Sequence, residues 1–290
     1  MSGLPASQYY QDHGKGINIR SCFSVRTYKL GDIIAEGSYS KVRIAYKKGG
    51  EGTKERVACK MVNRNRTSLE FVTKFLPREL AIVQCVSHPH IAKIFDVFDK
   101  GNKVYIFMEL CDGGDLLQYV QKNGPLLEET VKYFFRQIVS AVAYIHSLDI
   151  SHRDLKCENV LFNSRNRIKI VDFGFARWCD SMDVSKTFCG STSYAAPEIL
   201  QGVPYNPKLY DSWSLGCVLF IMLTSTMPFD ETNPKKMLKD QLRRAINFNH
   251  RGDFRHISIQ AKCLVIELLE PNPNRRTTVQ RLNKNCWLKT

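Results

Sequence analysis

A chain of 290 residues that is 43% hydrophobic can bury a large core, and its length fits one unit of two subdomains. The formal net charge of +14 would suit nucleic acid or an acidic membrane, but the basic residues are scattered in pairs such as Lys235 and Lys236 or Arg275 and Arg276. No basic stripe interleaved with aromatics is present, which favours solvated charge with some steering of acidic partners over a specific nucleic-acid interface. The ten cysteines include no Cys-x-x-Cys pair and read as reduced thiols. No run approaches the ~18 apolar residues of a membrane span, and the N-terminus lacks an apolar signal core, so no membrane insertion is expected.

Residues 1–27 are polar and without aliphatic periodicity, and they read as a flexible extension. The segment Ala35-Glu36-Gly37-Ser38-Tyr39-Ser40-Lys41-Val42 keeps one glycine of a phosphate-covering loop of the form Gly-x-Gly-x-x-Gly-x-Val. Gly37 is where backbone must approach phosphate most closely; Ala35 and Ser40 replace the other glycines and predict a stiffer loop with weaker nucleotide affinity. Val57-Ala58-Cys59-Lys60 reads as a strand carrying one inward lysine. Such a lysine needs a buried carboxylate, and Glu79 is the candidate, on a helix whose first turn suits Pro77 and along which Leu80, Val83 and Val86 repeat at helical spacing. His88-Pro89-His90 reads as a turn and not as a metal site. The near-continuous apolar run Val104-Tyr105-Ile106-Phe107-Met108-Glu109-Leu110 suits a buried strand and leads into Cys111-Asp112-Gly113-Gly114-Asp115.

The most informative stretch is His152-Arg153-Asp154-Leu155-Lys156-Cys157-Glu158-Asn159, followed by Asp172-Phe173-Gly174. It gathers a base, a cation and two metal ligands, the set needed to move a phosphoryl group from a nucleotide to a hydroxyl. Arg167-Ile168-Lys169-Ile170-Val171 reads as a strand that delivers Asp172 to the mouth of a cleft. Asp172 and Asn159 supply the oxygen ligands that Mg²⁺ prefers. Asp154 is placed to orient the acceptor hydroxyl and take its proton. Lys156, two residues on, reaches the transferring phosphate and offsets charge there. Further along, Lys186-Thr187-Phe188-Cys189-Gly190-Ser191 leads to Ala196-Pro197-Glu198. Ser191 is expected to hydrogen-bond Asp154 or Lys156, Glu198 to pair with Arg276, and Asp211 to cap the backbone around Asp154.

Taken in order, these motifs make residues 28 to 287 resemble a eukaryotic protein kinase domain, and the Asp-Leu-Lys-x-x-Asn form resembles serine/threonine kinases. Residues 35–42, 74–79, 152–161, 185–191, 206–216 and 274–276 are similar to the testis-specific serine/threonine kinase family of the calmodulin-dependent kinase group. The resemblance implies an α+β, bilobal kinase fold. A small β-rich N-lobe with one main helix would span residues 28–110 and a larger, mainly α-helical C-lobe residues 111–288. It implies transfer of the γ-phosphoryl of Mg-ATP to Ser/Thr hydroxyls, with Lys60 on the α/β-phosphates. Val42 and Ala58 would pack on one face of the adenine and Leu161 on the other. Met108 would be the gatekeeper, and backbone groups of Glu109 and Cys111 would bond the adenine. Thr187 falls at the usual activating phosphorylation site, with Arg153 and Arg177 to receive the phosphate. Asp115 and Glu158 fall where basophilic kinases clamp an arginine three residues before the target hydroxyl. A role in sperm-cell differentiation, chaperone association, a monomeric state and a cytoplasmic location with access to the nucleus are expectations of the same kind. Ala35 and Thr192 depart from the family pattern. Two rivals remain on the sequence: a scaffold that has lost catalysis, which the eroded glycine loop favours, and a basic nucleic-acid-binding protein.

Overall fold

The structure, a computed structural model, describes residues 27–37, 40–49, 53–180, 183–187, 189–246, 248 and 257–289. The expected extension over residues 1–27 lies, but for Thr27, outside them, as do Ser38 and Tyr39 of the glycine-poor loop. The chain divides between Asp112 and Gly113 into two compact units, two residues beyond the division read from the sequence.

The first unit is an antiparallel sheet of five strands with one helix. Its strands are β1 (Tyr28–Glu36), β2 (Ser40–Lys48), β3 (Lys54–Asn63), β4 (Ile94–Lys100) and β5 (Lys103–Glu109), in the order β1-β2-β3-β5-β4. Register sorts every side chain onto one of two faces, because successive residues of a strand alternate. Val42, Lys60 and Ile106 stand opposite one another across β2, β3 and β5, as do Ile44, Ala58 and Met108. That face, with Val62, Val97, Val104 and Ile106, packs on Leu76 and Leu80 of helix α1 (Leu76–Cys85). The opposite face carries Tyr28, Ala45, Val57, Cys59, Phe98 and Phe107, with Tyr28 stacked on Phe107 at 3.8 Å between centroids.

Helix α1 carries Pro77 in its first turn, as read from the sequence. A π turn over Phe71–Phe75 runs straight into it, closed by the Leu76 N–H on the Phe71 carbonyl, so Pro77 sits inside a continuous helical path. Proline has no N–H to donate and its ring crowds the carbonyl four residues back; the wider turn just ahead accommodates both. Val86, expected on the helix face, is instead the extended residue that ends it, and Ile82 is buried in its stead.

The second unit is mainly helical: α2 (Leu116–Asn123), α3 (Glu128–Ser147), α4 (Pro197–Leu200), α5 (Pro207–Thr224), α6 (Pro234–Leu242), α7 (Ile259–Leu268), α8 (Val279–Leu282) and α9 (Cys286–Lys289). Two small ladders join them, β6 (Ile150–Ser151) with β9 (Arg177–Trp178), and β7 (Val160–Phe162) with β8 (Ile168–Ile170). Asn206 caps α5, accepting from the N–H groups of Lys208 and Leu209, and Pro207 supplies its first turn. From Tyr210 to Thr224 every residue of α5 is buried, the mark of a helix surrounded on all sides. As read from the sequence, Arg276 grips Glu198 with two bonds of 2.6 and 2.8 Å, and its guanidinium lies 5.0 Å from the centre of the Trp213 ring.

Helices α5 and α7 approach closely at Gly216. A β-carbon there would lie 2.8 Å from Leu269 Cδ2 and 2.9 Å from Leu268 Cβ. Gly216→Ala is therefore expected to destabilise the protein by about 1–3 kcal/mol through overpacking, despite alanine's better helix propensity, as a lowered urea midpoint would report.

Candidate active site

The second unit builds its chemistry on one buried carboxylate. Asp211, on α5, accepts from the Ser151 hydroxyl at 2.8 Å, the His152 N–H at 2.9 Å, the Arg153 N–H at 2.8 Å and His146 Nε2 at 2.8 Å. Burial pushes this carboxyl up, but the bond and charge of His146 and the N–H of Arg153 outweigh it and hold Asp211 below its ordinary value. The expected cap is thus present, and it fixes Arg153 at φ 64°, in the left-handed region. The turn aims Asp154, which is 6% exposed, at a cluster of polar groups.

Asp154 Oδ1 accepts from the Ser191 N–H at 3.0 Å and the Ser191 hydroxyl at 3.1 Å; its Oδ2 accepts from Asn159 Nδ2 at 3.0 Å and lies 3.2 Å from Lys156 Nζ. Lys156 Nζ also donates to Ser191 Oγ at 2.8 Å. A hydroxyl oxygen is therefore held between a carboxylate that accepts its proton and an ammonium that faces its lone pairs. Gly190 makes this possible: at φ 96°, a β-carbon on it would lie 2.6 Å from the Arg153 carbonyl oxygen and 2.9 Å from the Tyr210 hydroxyl.

Asn159 and Asp172 are brought together by the β7–β8 ladder. Val160 pairs with Ile170, and the Val171 N–H donates to the Asn159 carbonyl at 3.0 Å, so the two residues flank the same end of the hairpin. Asn159 directs its Nδ2 to the Asp154 carboxylate and carbonyl, which leaves Oδ1 as its accepting end. An amide oxygen beside an exposed carboxylate suits a hard divalent cation whose other ligands are phosphate oxygens and water. Among the described residues no three His, Cys, Asp or Glu side chains cluster to hold a metal alone.

In the first unit, Lys60 Nζ meets Glu79 Oε1 at 2.7 Å, with side-chain exposures of 14% and 2%. Ala35 and Val42 pair across β1 and β2, and the Gly37 N–H closes the turn on the Ser40 carbonyl at 2.8 Å. Val42, Ala58, Lys60 and Met108 share the sheet face that α1 covers in part. The Glu109 N–H is taken by the Lys93 carbonyl at 2.8 Å, and its carbonyl accepts a long bond from Cys111 Sγ at 3.9 Å.

The remaining expected residues lie in the second unit. Leu161, in β7, bridges to Asp115. Asp115 caps α2 through the Gln118 N–H at 2.8 Å, and Glu158 accepts from the Tyr194 hydroxyl at 3.0 Å. Burial pushes the Cys157 thiol up, and both carboxylates add to the effect, which places them around one residue. Arg153 is 1% exposed; its Nε donates to the Phe175 carbonyl at 2.7 Å and its Nη1 to the Ser185 hydroxyl at 3.4 Å, while Nη2 is buried without a hydrogen-bond partner among the described residues. Ser185 Oγ also accepts from the Thr187 N–H at 3.3 Å, so one hydroxyl links Arg153 to Thr187. Arg177 is turned instead to Asp183, at 3.4 Å.

Four contributors do not emerge from the sequence: His146, Ser185, Gly190 and Tyr194. The place of Gly190 within its segment is visible there, but its need for positive φ depends on a carbonyl 37 residues earlier, at Arg153.

Residues 28–288 match the family model described as Protein kinase domain. The chain is 44% identical over 269 residues to testis-specific serine/threonine-protein kinase 1 of Mus musculus, covering 91% of this chain and 72% of that one. It is 43% identical over 270 residues to testis-specific serine/threonine-protein kinase 2 of the same species, covering 90% and 73%. To testis-specific serine/threonine-protein kinase 3 of Mus musculus it is 42% identical over 265 residues, covering 90% and 96%.

Asp211→Asn would offer an amide to groups that need an anion, and is expected to cost roughly 2–4 kcal/mol in urea unfolding. The sign with pH follows from the lowered carboxyl. Its stabilisation is complete above the unfolded value of 3.8 and is lost as pH falls through the lower folded value, so this acid limb should be absent from the variant's stability profile.

Proposed function

The chain belongs to the protein kinase family and is a serine/threonine protein kinase that takes ATP and acts on proteins, and we propose that its transfer step is carried by Asp154, Lys156, Asn159, Asp172 and Lys60. Asp154 orients the substrate hydroxyl and takes its proton; Lys156 offsets charge on the phosphoryl group in flight. The observation that carries this reading is the Ser191 hydroxyl, held between Asp154 and Lys156 in the arrangement a substrate hydroxyl would need. Asn159 and Asp172 would hold Mg²⁺, which when bound would neutralise charge on the nucleotide phosphates. Lys60, oriented by Glu79, contacts the α/β-phosphates. Gly37 covers them, Val42 and Ala58 pack on the adenine, as does Leu161, Met108 stands as gatekeeper, and the backbone of Glu109 and Cys111 reads the adenine edge.

Phosphorylation of Thr187 activates the enzyme. The buried Nη2 of Arg153 and the Ser185 link to Thr187 support this, because a phosphate would bring acceptors to a guanidinium nitrogen that lacks one among the described residues. Arg177 would exchange Asp183 for the phosphate. Asp115 and Glu158, gathered around Cys157, favour an arginine three residues before the target. The printed names of the relatives carry the word testis, and we extend to this chain a role in sperm-cell differentiation, with chaperone association and a cytoplasmic and nuclear location as parts of the same reading. No described helix is long and apolar enough to cross a membrane.

Transfer of labelled γ-phosphate from Mg-ATP to an Arg(−3)-Ser peptide tests the core of this reading. Asp154→Asn is expected to lower kcat by about 10²–10⁴-fold while nucleotide binding persists, and Asp172→Asn to abolish transfer. Silence of the wild-type protein, even with phosphate at Thr187, would instead favour a catalytically dead scaffold. On the same peptide, Thr187→Ala should hold the rate at its unphosphorylated level and remove any gain produced by preincubation with ATP. A peptide array indifferent to arginine at −3 would remove Asp115 and Glu158 from the substrate site.

A further inference from the structure

The sheet of the first unit carries a hollow of about 370 Å³ on the face opposite α1. Its floor is the side of β3 that shows Met61, and Ile33, 48% exposed, stands at one edge. Cations surround this apolar centre. Lys41 stands opposite Met61 on β2, with Arg43 one alternation along; Lys103 stands opposite Asn63 on β5; Arg66 follows the end of β3. Among the described residues lining the hollow the one carboxylate is Glu36, and Lys41 pairs with it at 2.7 Å. Arg43 anchors itself through Nε on the Gly31 carbonyl at 2.7 Å. Arg66 and Lys103 are exposed and pair with no carboxylate among the described residues.

We propose that this hollow docks an acidic, extended segment of a protein partner, with one aliphatic side chain seated on Met61 and a carboxylate on either side. Charge complementarity selects the sign: Arg43, Arg66 and Lys103, which have no carboxylate partner among the described residues, border an apolar centre, on a chain of net charge +14 that draws acidic partners toward it. An apolar centre inside a charged rim is the anatomy of a protein interface. Shape selects an extended segment over a small ligand. The hollow lies at the small end of the roughly 300–1,000 Å³ of ligand pockets and opens onto a sheet face, where a small molecule would not be enclosed. Strand geometry sets the spacing. β2 and β5 lie two strand intervals apart, about 10 Å, with β3 between them. In an extended peptide, alternate side chains share a face and advance about 7 Å. An aliphatic residue with acids two positions before and after it therefore reaches both banks of cations.

The test is fluorescence anisotropy of the full chain with a labelled peptide of sequence Glu-Ser-Leu-Ser-Glu in a glycine frame. Three companions accompany it: its Gln-for-Glu form, its Gly-for-Leu form, and tripolyphosphate as competitor. Saturable binding, weakened about tenfold or more by the double variant Arg66→Glu with Lys103→Glu and by either peptide change, is expected, together with loss at high salt. Both substituted residues are exposed, and phosphate transfer by the variant reports that it is folded. Absence of binding to the wild-type chain, binding unaffected by charge reversal, or a Gln peptide that binds as tightly would overturn the proposal. A Gly-for-Leu peptide that binds unchanged and is displaced by tripolyphosphate would also overturn it, in favour of a simple anion site.

Discussion

The turn that carries Asp154 depends on one buried carboxylate, that of Asp211. Asp211 is fully buried on a helix that is itself buried all round, and an unpaired ion there would be untenable. It is kept charged by four donors, two of them backbone N–H groups of the segment that carries Asp154. Those two N–H groups belong to a turn with Arg153 in the left-handed region, a conformation that costs about 1–3 kcal/mol in a non-glycine residue and persists only when its surroundings over-determine it. The anion and the strained turn therefore stabilise each other. The turn supplies the donors that make burial of Asp211 tolerable, and Asp211 holds the turn that points Asp154 at its hydroxyl.

The first unit solves a related problem with a sheet. A lysine held for contact with an anionic ligand must be kept extended and dry without being neutralised. Alternation along β3 puts Lys60 on the α1 face and Cys59 on the other, where burial pushes its thiol up to about 12 and so keeps it protonated. Helix α1 then brings Glu79 within 2.7 Å of the ammonium. The pair depends on α1 keeping its register through Pro77, and the π turn before that proline lets the helix pass it without breaking.

Most of the site is legible in the sequence because its residues are close together and their types are chemically constrained. Asp154, Lys156 and Asn159 fall within one short run, and Asp172 follows at the end of an apolar strand; the structure shows the polar cluster and the hairpin that this order implies. Glu79 can be chosen at a distance because a buried lysine demands a carboxylate and few helices offer one. What is not legible depends on geometry made by residues far apart. Ser185 matters through the position of Arg153, Tyr194 through Glu158 and Cys157, and His146 through Asp211. Pro77 reads correctly as a first-turn residue, but the π turn before it is not legible, because a proline at the head of a helix masks the helical path that precedes it.

The state of Arg153 gives the segment around Thr187 an energetic direction. A guanidinium has five N–H donors and cannot shed its charge, so burying it with one end unpartnered carries a penalty of about 1–3 kcal/mol or more. The groups near it, the Ser185 hydroxyl and the Phe175 carbonyl, are neutral and satisfy it only in part. Asp154, its neighbour in sequence, directs its own oxygens to Asn159, Lys156 and Ser191 and leaves none for Arg153. A dianion arriving on Thr187, already tied to the same Ser185 hydroxyl, would offer charge-assisted bonds in place of that deficit. The segment that follows, through Gly190 and Ser191, is bonded directly to Asp154, so order gained at Thr187 passes along a short stretch of backbone to the carboxylate that faces the hydroxyl.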